Sequence, residues 1–232
     1  MQTTATLLMA AQNRARRLTR AENRELRRDS LIEAAERVIA EHDLPGTTVE
    51  RICEQAGVSH GLLGHYFASK DDLLLVVCER AFEGDLAHKA EIAADTSLSA
   101  VERLHELAVS TFDPPVYSPQ RAAVWQAFLN ACRSTALFRQ AIWRGAEGYR
   151  SVFEEGFSQA AHELGITIDA PRAALGLIAL IDGFWTGLST GKDSATPEDA
   201  ITLCHLHIDA CLDHARPSPK RSRGPDRQAA RR

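Results

Sequence analysis

The sequence predicts an all-α fold of about nine helices. Apolar residues recur at helical spacing through most of the 232 residues, whereas the alternating pattern of half-buried strands is nearly absent. Capping residues stand before several of these segments, and a 44% hydrophobic composition is enough for a sizeable core. We expect three helices in a domain spanning residues 21–68, followed by a larger helical domain spanning residues 69–214.

The first three helices are marked by residues that cap helix N-termini. Thr19-x-x-Glu22 forms a capping box that predicts the start of helix 1, and "DLPG" is expected to end it. A second box, Thr47-x-x-Glu50, predicts a short helix 2. Ser59 is expected to cap helix 3 through its hydroxyl. The apolar stripe of helix 1 consists of Leu31, Ala34, Ala35, Val38 and Ile39.

Six more helices are expected after residue 68. Ser69-x-x-Asp72 predicts the start of a long helix 4, and helix 5 follows in "TSLSAVERLHELAVSTF". The three prolines of "DPPVYSP" indicate a loop, and helices 6 and 7 follow that loop. Asp169 is expected to cap helix 8. Thr196 and the acidic residues after it predict the start of helix 9, which ends near His214.

Helix 2, a turn at Gly57 and helix 3 have the spacing of a helix-turn-helix. Leu63 and Phe67, four residues apart, are expected to point inward. Gly61 and Gly64 would then let the backbone of helix 3 come close to a base edge or a phosphate. The alternative is that both glycines serve packing inside the protein. The residues expected to point outward are Ser59, His60, Gly61, Leu62, Gly64 and His65.

The segment "TTVERICEQAGVSHGLLGHYFASKDDLL" resembles the TetR family of bacterial repressors, and the resemblance covers the chain except its two ends. It implies that the six outward residues of helix 3 face the major groove of DNA. It also implies phosphate contacts by Thr48, Tyr66 and Lys70, in agreement with the helix N-termini near Thr48 and Lys70. Gly64 replaces the tyrosine usual in the family.

The second half of the chain narrows the resemblance. "LIALIDGFWTGLSTGK", with "AAVWQAF" upstream, is similar to the regulatory domain of choline-responsive repressors of glycine betaine synthesis. Aromatic faces beside a carboxylate suit a quaternary ammonium ligand, although the same residues can be ordinary core residues. The candidate ligand-binding residues are Trp125, Phe128, Trp143, Tyr149, Asp182, Phe184 and Trp185.

The charge distribution indicates a polyanionic partner at the ends of the chain. Residues 1–30 carry seven arginines against three acidic residues, and residues 215–232 carry seven basic residues against one acidic residue. We expect Arg27 to contact DNA. The basic leader, residues 1–20, either contacts DNA or is solvated, and the tail, residues 215–232, is expected to be disordered.

Several classes of site and location are not expected. The five cysteines form no CxxC pair, which favours free thiols in a reducing compartment. "CHLHIDACLDH" is histidine- and cysteine-rich, but one straight helix cannot wrap four ligands around an ion. We therefore expect no metal and no cofactor. No long apolar run or signal-peptide order is evident, so we expect a cytoplasmic protein without a membrane partner.

The sequence thus predicts a ligand-responsive transcriptional repressor that binds a palindromic operator in double-stranded DNA as a homodimer. Helices 8 and 9 are expected to form the dimer, and Ala173, Ala174, Gly176 and Ala179 would allow close packing there. A small effector, such as choline or another cationic or aromatic molecule, would release the operator. A transcriptional activator and a ligand-independent helical DNA-binding protein are the alternatives. An enzyme is not expected, because nucleophile and phosphate-loop motifs are missing.

Overall fold

The computed structural model describes residues 19–190 and 195–215, and within these ranges the chain forms nine α-helices and no strand, which confirms the all-α prediction. The basic leader up to residue 18 and the tail from residue 216 lie outside the described residues. The helices are α1 (Arg20–Gly46), α2 (Val49–Ala56), α3 (His60–Tyr66), α4 (Lys70–Ala94), α5 (Ala100–Val109), α6 (Pro119–Ala131), α7 (Ala136–Leu164), α8 (Ala170–Thr190) and α9 (Pro197–His214).

Most of the predicted helix caps are confirmed. Thr19 Oγ1 accepts the backbone N–H of Glu22 at 3.2 Å, and the Glu22 carboxylate accepts the N–H of Thr19 at 2.7 Å, so α1 begins with a complete capping box. Ser59, Ser69 and Asp169 each accept the N–H of the residue three positions on. These bonds satisfy donors that a helix N-terminus otherwise leaves free.

Helix α1 ends at Gly46, within "DLPG" as predicted, but the prediction that Thr47 caps α2 is wrong, because Thr47 is the C-cap of α1. Asp43 breaks the regular helix with φ 55° and ψ 173°, but helical structure resumes and continues to Gly46. Thr47 therefore closes α1: it is buried and its hydroxyl donates to the Asp43 carbonyl at 2.7 Å. Thr48 is the cap of α2, and its hydroxyl accepts the Arg51 N–H at 3.3 Å.

The described chain divides into two compact units. The first contains residues 19–84 and 118–146, which include α1 to α3 and the whole of α6. Its core consists of the predicted α1 stripe together with buried side chains such as Ile52, Leu63, Phe67 and Leu73. The unit therefore contains α6 and part of α7 besides the predicted domain of residues 21–68, and that division of the chain stays a prediction.

The second unit contains residues 85–117, 147–190 and 195–215. Helix α9 packs against α8 and α5, and Leu104, Phe157, Leu177 and Ile208 are fully buried or nearly so. Aromatic residues of α7 and α8 lie in or against this core, so the geometry of candidate ligand-binding residues in this unit is fixed by helix packing.

A glycine in α7 is required by close packing. A Cβ atom at Gly145 would overlap the ring of Phe82 on α4. We expect Gly145→Ala to lower the free energy of unfolding by about 1–3 kcal/mol, because the ring must move within a packed core. Urea unfolding followed by circular dichroism measures this effect.

Gly84→Ala is the matched control for that substitution. A Cβ at Gly84 meets nothing within 4 Å, so alanine there should stabilise α4 by up to about 1 kcal/mol. Equal responses of the two variants would contradict the packing role assigned to Gly145.

Candidate nucleic-acid interface and regulatory core

The turn between α2 and α3 has the geometry that the sequence predicts. Gly57 adopts φ 65° and ψ 36°, the left-handed region that glycine tolerates best. The N–H of Val58 donates to the Cys53 carbonyl at 2.9 Å, and the Ser59 hydroxyl caps α3 through the Leu62 N–H at 3.3 Å. The turn therefore holds α2 and α3 as a helix-turn-helix, with Ile52 and Leu63 on the buried side.

The surface of α3 opposite Leu63 is available to a partner. Leu62 is half-buried, and the other five predicted base-reading residues are exposed, namely Ser59, His60, Gly61, Gly64 and His65. A Cβ at Gly61 would meet only Ser59 Oγ at 4.0 Å, and one at Gly64 would meet nothing within 4 Å. Packing inside the described chain therefore does not require glycine at either position.

The three predicted phosphate-binding residues have partners within the protein. Thr48 caps α2, and Tyr66 is half-buried with its ring edge-on to His65 at a centroid distance of 5.3 Å. Lys70 Nζ donates to the Thr47 carbonyl at 3.0 Å, which ties the start of α4 to the junction of α1 and α2. An ammonium carries three protons, so this bond leaves Lys70 able to donate to another acceptor.

Two arginine contacts that the sequence analysis missed hold α1 in place. Arg27 is exposed, as an arginine that reaches DNA must be. Its neighbour Arg28 instead lies over the ring of Phe67, 5.3 Å from the centroid. Arg80 of α4 pairs with Asp29 at 3.1 Å. Neither partner is close in sequence, so no local spacing pointed to these pairs.

Three of the candidate ligand-binding residues lie in the first unit. Trp125 is half-buried and edge-on to Phe82, with ring centroids 5.2 Å apart. Phe128 is buried against Phe138 at the same distance. Trp143 is 66% exposed, so within this chain its side chain is not enclosed.

The other four candidates lie in the second unit. The Tyr149 hydroxyl is 3.2 Å from Thr111 Oγ1, and its ring is edge-on to Phe153. Phe184 and Trp185 contact other aromatic rings, and Trp185 Nε1 is buried with no hydrogen-bond partner among the described residues. Asp182, which stands in an apolar run, is nevertheless exposed on α8. Neighbouring protein still removes enough water from its carboxyl to raise the pKa of Asp182.

The residue of this unit that the sequence analysis missed is Lys89 of α4. Its side chain is completely buried. Lys89 Nζ lies 2.8 Å from Asp85 Oδ1 and donates to Ser110 Oγ and Thr111 Oγ1, each at 3.0 Å. Burial lowers the pKa of Lys89, and the nearby Asp85 carboxylate opposes that shift.

Aromatic faces complete the surroundings of this ammonium. Lys89 Nζ is 5.3 Å from the ring centroid of Tyr149 and 5.8 Å from that of Phe153. We call the group formed by Asp85, Ser110, Thr111, Tyr149 and Phe153 the Lys89 cage. The i,i+4 spacing of Asp85 and Lys89 was visible in the sequence, but such pairs usually lie on a solvated face.

Small residues of α8 pack against α9 of the same chain, which corrects their assignment to a dimer contact. Ala173 and Ala174 are buried. A Cβ at Gly176 would lie 2.6 Å from His207 Cε1, and the His207 ring nitrogen Nε2 lies 3.0 Å from the Ala173 carbonyl. Of the four small residues, only Ala179 is exposed.

Three large apolar side chains of these two helices are exposed. Leu175 of α8 is 60% exposed, and Leu203 and Leu206 of α9 are 44% and 57% exposed. By length and mean hydropathy (1.4) α8 could cross a membrane, a property that the sequence analysis overlooked. Only 17% of this apolar window is buried inside the described chain, and its buried side chains Leu177 and Ile181 belong to the core of the second unit.

Helix α9 is rich in histidine and cysteine, the side chains that most often bind transition metals. Among the described residues, no three His, Cys, Asp or Glu side chains are placed to hold a metal ion. Cys204 is buried, and burial raises the pKa of its thiol to about 11. His105 of α5 stacks on His205 at 4.4 Å and pairs with Asp209 at 3.0 Å.

Comparisons with known proteins agree on one kind of protein. Residues 31–77 match the model of bacterial regulatory proteins of the tetR family, and residues 100–213 match the C-terminal domain of BetI-type transcriptional repressors. The HTH-type transcriptional regulator BetI of Rhizobium meliloti (strain 1021) is 30% identical over 199 residues, which cover 84% of this chain and 96% of that protein.

Solved structures show the same fold. A putative transcriptional regulator from Pseudomonas aeruginosa PAO1 is 28% identical, with a TM-score of 0.73 over 87% of this chain and 96% of that one. A putative transcriptional regulator from Saccharomonospora viridis, solved in complex with choline, is 22% identical, with a TM-score of 0.67 over 81% of this chain and 95% of that one. At that identity the likeness supports the fold and not the ligand.

Proposed function

Because the chain belongs to the TetR family of bacterial regulatory proteins and has a BetI-type C-terminal domain, we propose that it is a ligand-responsive repressor that binds a palindromic operator as a dimer. Like its relatives, it is a transcriptional regulator, and it is not an enzyme. The observation that carries the proposal is the helix-turn-helix of α2 and α3, whose outer surface is exposed around Gly61 and Gly64.

The proposed division of roles follows the chemistry of each side chain. His60 can donate to the acceptors of a guanine in the major groove, and Leu62 can contact a thymine methyl group. Arg27, Thr48, Tyr66 and Lys70 would contact phosphates, which position the protein without selecting a sequence. Exposure of His60 and Arg27 supports these roles. The partial burial of Lys70 limits its reach.

The dimer is proposed to form through α8 and α9. Leu175, Leu203 and Leu206 are apolar side chains that a second copy of the chain can cover. A two-fold dimer presents two reading helices to two half-sites, and these must lie about 34–36 Å apart, or a multiple of that distance, to meet successive major grooves. A palindromic operator follows from that symmetry.

Release from the operator is proposed to be a population shift. A ligand that binds better to a conformation unable to bind DNA lowers the fraction of operator-bound protein. Helix α4 is suited to this response, because its residues 70–84 belong to the first unit and its residues 85–94 to the second. Choline, another cation and an aromatic molecule are the candidate effectors, and the aromatic residues Phe184 and Trp185 support them.

The proposed location is the bacterial cytoplasm, where the operator is. An activator is the second candidate, since the position of the operator relative to the promoter decides the outcome. Purified full-length protein can be tested by selecting bound fragments from a random duplex library. The expected product is a palindrome, with one dimer bound per site. Recovery of no common sequence would contradict the proposed binding to a specific operator.

His60→Ala and Lys70→Ala should separate base reading from phosphate contact. His60→Ala is expected to relax sequence preference at one position of each half-site, at a cost of about 1–3 kcal/mol in discrimination. Lys70→Ala is expected to weaken binding to all sequences and to reduce the salt dependence. Fluorescence anisotropy with the selected operator and point-mutated operators at several salt concentrations measures both effects.

His88→Ala is the matched control, because His88 is an exposed histidine on the part of α4 that belongs to the second unit. It should leave operator binding unchanged. If Lys70→Ala changed only which sequence is preferred, the proposed phosphate role of Lys70 would be wrong.

A further inference from the structure

The Lys89 cage has the composition of a site for an organic cation, and a cation already occupies it. Asp85 supplies a carboxylate, and Tyr149 and Phe153 supply two aromatic faces within about 6 Å of the ammonium. A carboxylate beside aromatic faces is the chemistry expected around a quaternary ammonium ligand. Here the charge comes from α4 of the same chain.

The hydrogen bonds of Lys89 show that the cage is complete with the lysine in it. The ammonium donates to Ser110 Oγ and Thr111 Oγ1 at 3.0 Å and to the Leu107 carbonyl at 3.4 Å, and it forms an ion pair with Asp85 Oδ1 at 2.8 Å. The Thr111 hydroxyl donates onward to the Leu107 carbonyl at 3.2 Å, so it accepts from both Lys89 and Tyr149. The side chain of Lys89 has no exposed surface, so no water-filled space separates it from its partners.

These contacts have a consequence for ligands. A second cation beside Asp85 would meet the Lys89 charge at short range in surroundings of low dielectric constant, where like charges repel strongly. The face of Tyr149 that would attract it is already used by Lys89. Tyr149, which the sequence analysis assigned to a cationic ligand, therefore serves an internal cation.

A second group in this unit favours a ligand that carries an acceptor oxygen. Trp185 Nε1 is a buried donor that bonds to no acceptor among the described residues. A buried N–H group without a partner is costly, and a ligand that brings an acceptor oxygen would satisfy it. The quaternary ammonium group itself supplies no such acceptor, whereas a carboxylate, a carbonyl or a hydroxyl does. Choline carries a hydroxyl, so its exclusion rests on the Lys89 charge and not on Trp185. Asp182, the carboxylate that the sequence assigns to a ligand, lies on the exposed face of α8.

We propose that Lys89 is a built-in ammonium that fills this cage and thereby restricts the effector of the protein to uncharged or acidic molecules. Lys89 is in this sense a specificity-determining residue. The inference rests on the proposed function for the existence of an effector, and it narrows the candidate effectors by excluding choline and other quaternary ammonium compounds.

Isothermal titration calorimetry with tetramethylammonium chloride and choline chloride tests the proposal, with sodium chloride as the ionic control. Wild-type full-length protein is expected to bind neither compound at millimolar concentrations. Lys89→Ala removes the ammonium and most of the side chain, and leaves Asp85 and the aromatic faces. It is expected to bind tetramethylammonium at least about tenfold more tightly than the wild type does.

Lys89→Met is the matched control for side-chain volume. It removes the charge but fills nearly the same volume, so it should bind tetramethylammonium no better than the wild type. Binding by Lys89→Met as tight as by Lys89→Ala would contradict the cage as the site. A folded Lys89→Ala that binds no tetramethylammonium would also overturn the proposal. Circular dichroism of each variant establishes that it is folded.

Measurements on the wild-type protein test the exclusion of cations even if a variant does not fold. Operator release by choline, or calorimetric binding of choline to the wild type, would overturn the exclusion of cations while leaving repression intact. Failure of the wild type to select a palindromic operator would instead contradict the proposed function. The two failures are therefore distinguishable in the same protein preparation.

Discussion

Replacing Lys89 by methionine is expected to lower the free energy of unfolding by about 3–5 kcal/mol. Methionine has a similar volume, so the core stays filled and no cavity forms. The loss comes from Asp85, whose side chain is only 13% exposed and would keep a negative charge without its partner. Ser110 and Thr111 would also lose a charged donor. Urea unfolding followed by circular dichroism at neutral pH measures the change.

Lys70→Met is the matched control for that experiment. Lys70 is half-buried and has one described bond, to the Thr47 carbonyl, so its replacement should cost about 1 kcal/mol. A double variant, Asp85→Leu with Lys89→Met, removes both charges and should be more stable than Lys89→Met alone. A Lys89→Met variant as stable as the wild type would show that the ion pair contributes nothing net.

Gly64→Ala is expected to raise protein stability and to weaken operator binding at the same time. Alanine is favoured over glycine in a helix interior by about 1 kcal/mol, and the new Cβ at position 64 meets nothing within 4 Å. On DNA the same methyl group would stand between the α3 backbone and a base edge or phosphate. We expect a loss of about 1–3 kcal/mol in operator affinity, comparable to that of a good base contact.

Gly84→Ala separates the two effects, because it adds a methyl group to an equally open position on α4. It should raise the unfolding midpoint as Gly64→Ala does and leave operator affinity unchanged. Thermal unfolding and fluorescence anisotropy on the same samples give both numbers. Unchanged affinity in Gly64→Ala would mean that α3 does not approach the operator closely at that position.

Local sequence signals predicted the parts of the fold that local interactions decide. Thr19 with Glu22, and Ser59 with Leu62, are bonds between residues three apart, so their spacing is visible in the sequence. Thr47 shows the limit of such signals. It stands in a valid capping-box pattern, but the helical turn after Asp43 makes it the C-cap of one helix, and Thr48 is the N-cap of the next.

The two candidate sites also differ in how far the sequence predicts them. The outward face of α3 followed from Leu63 and Phe67, four residues apart on a short helix. The regulatory core did not follow from the sequence, because the partners of Lys89 come from three helices and the segment after α5. Lys89 lies 18 to 22 residues from its acceptors Leu107, Ser110 and Thr111. Charge patterning cannot tell a buried lysine of this kind from a solvated one.

The close contact between Gly176 and His207 also predicts how these two positions vary among related proteins. The imidazole occupies the volume that any side chain at position 176 would need. A mutation that enlarges position 176 therefore requires the His207 ring to move or a smaller residue to replace it. Across related repressors these two positions should change together, even though 31 positions separate them in the chain. An alignment in which large residues occupy both positions of the same protein would mean that α8 and α9 can separate without loss of the fold.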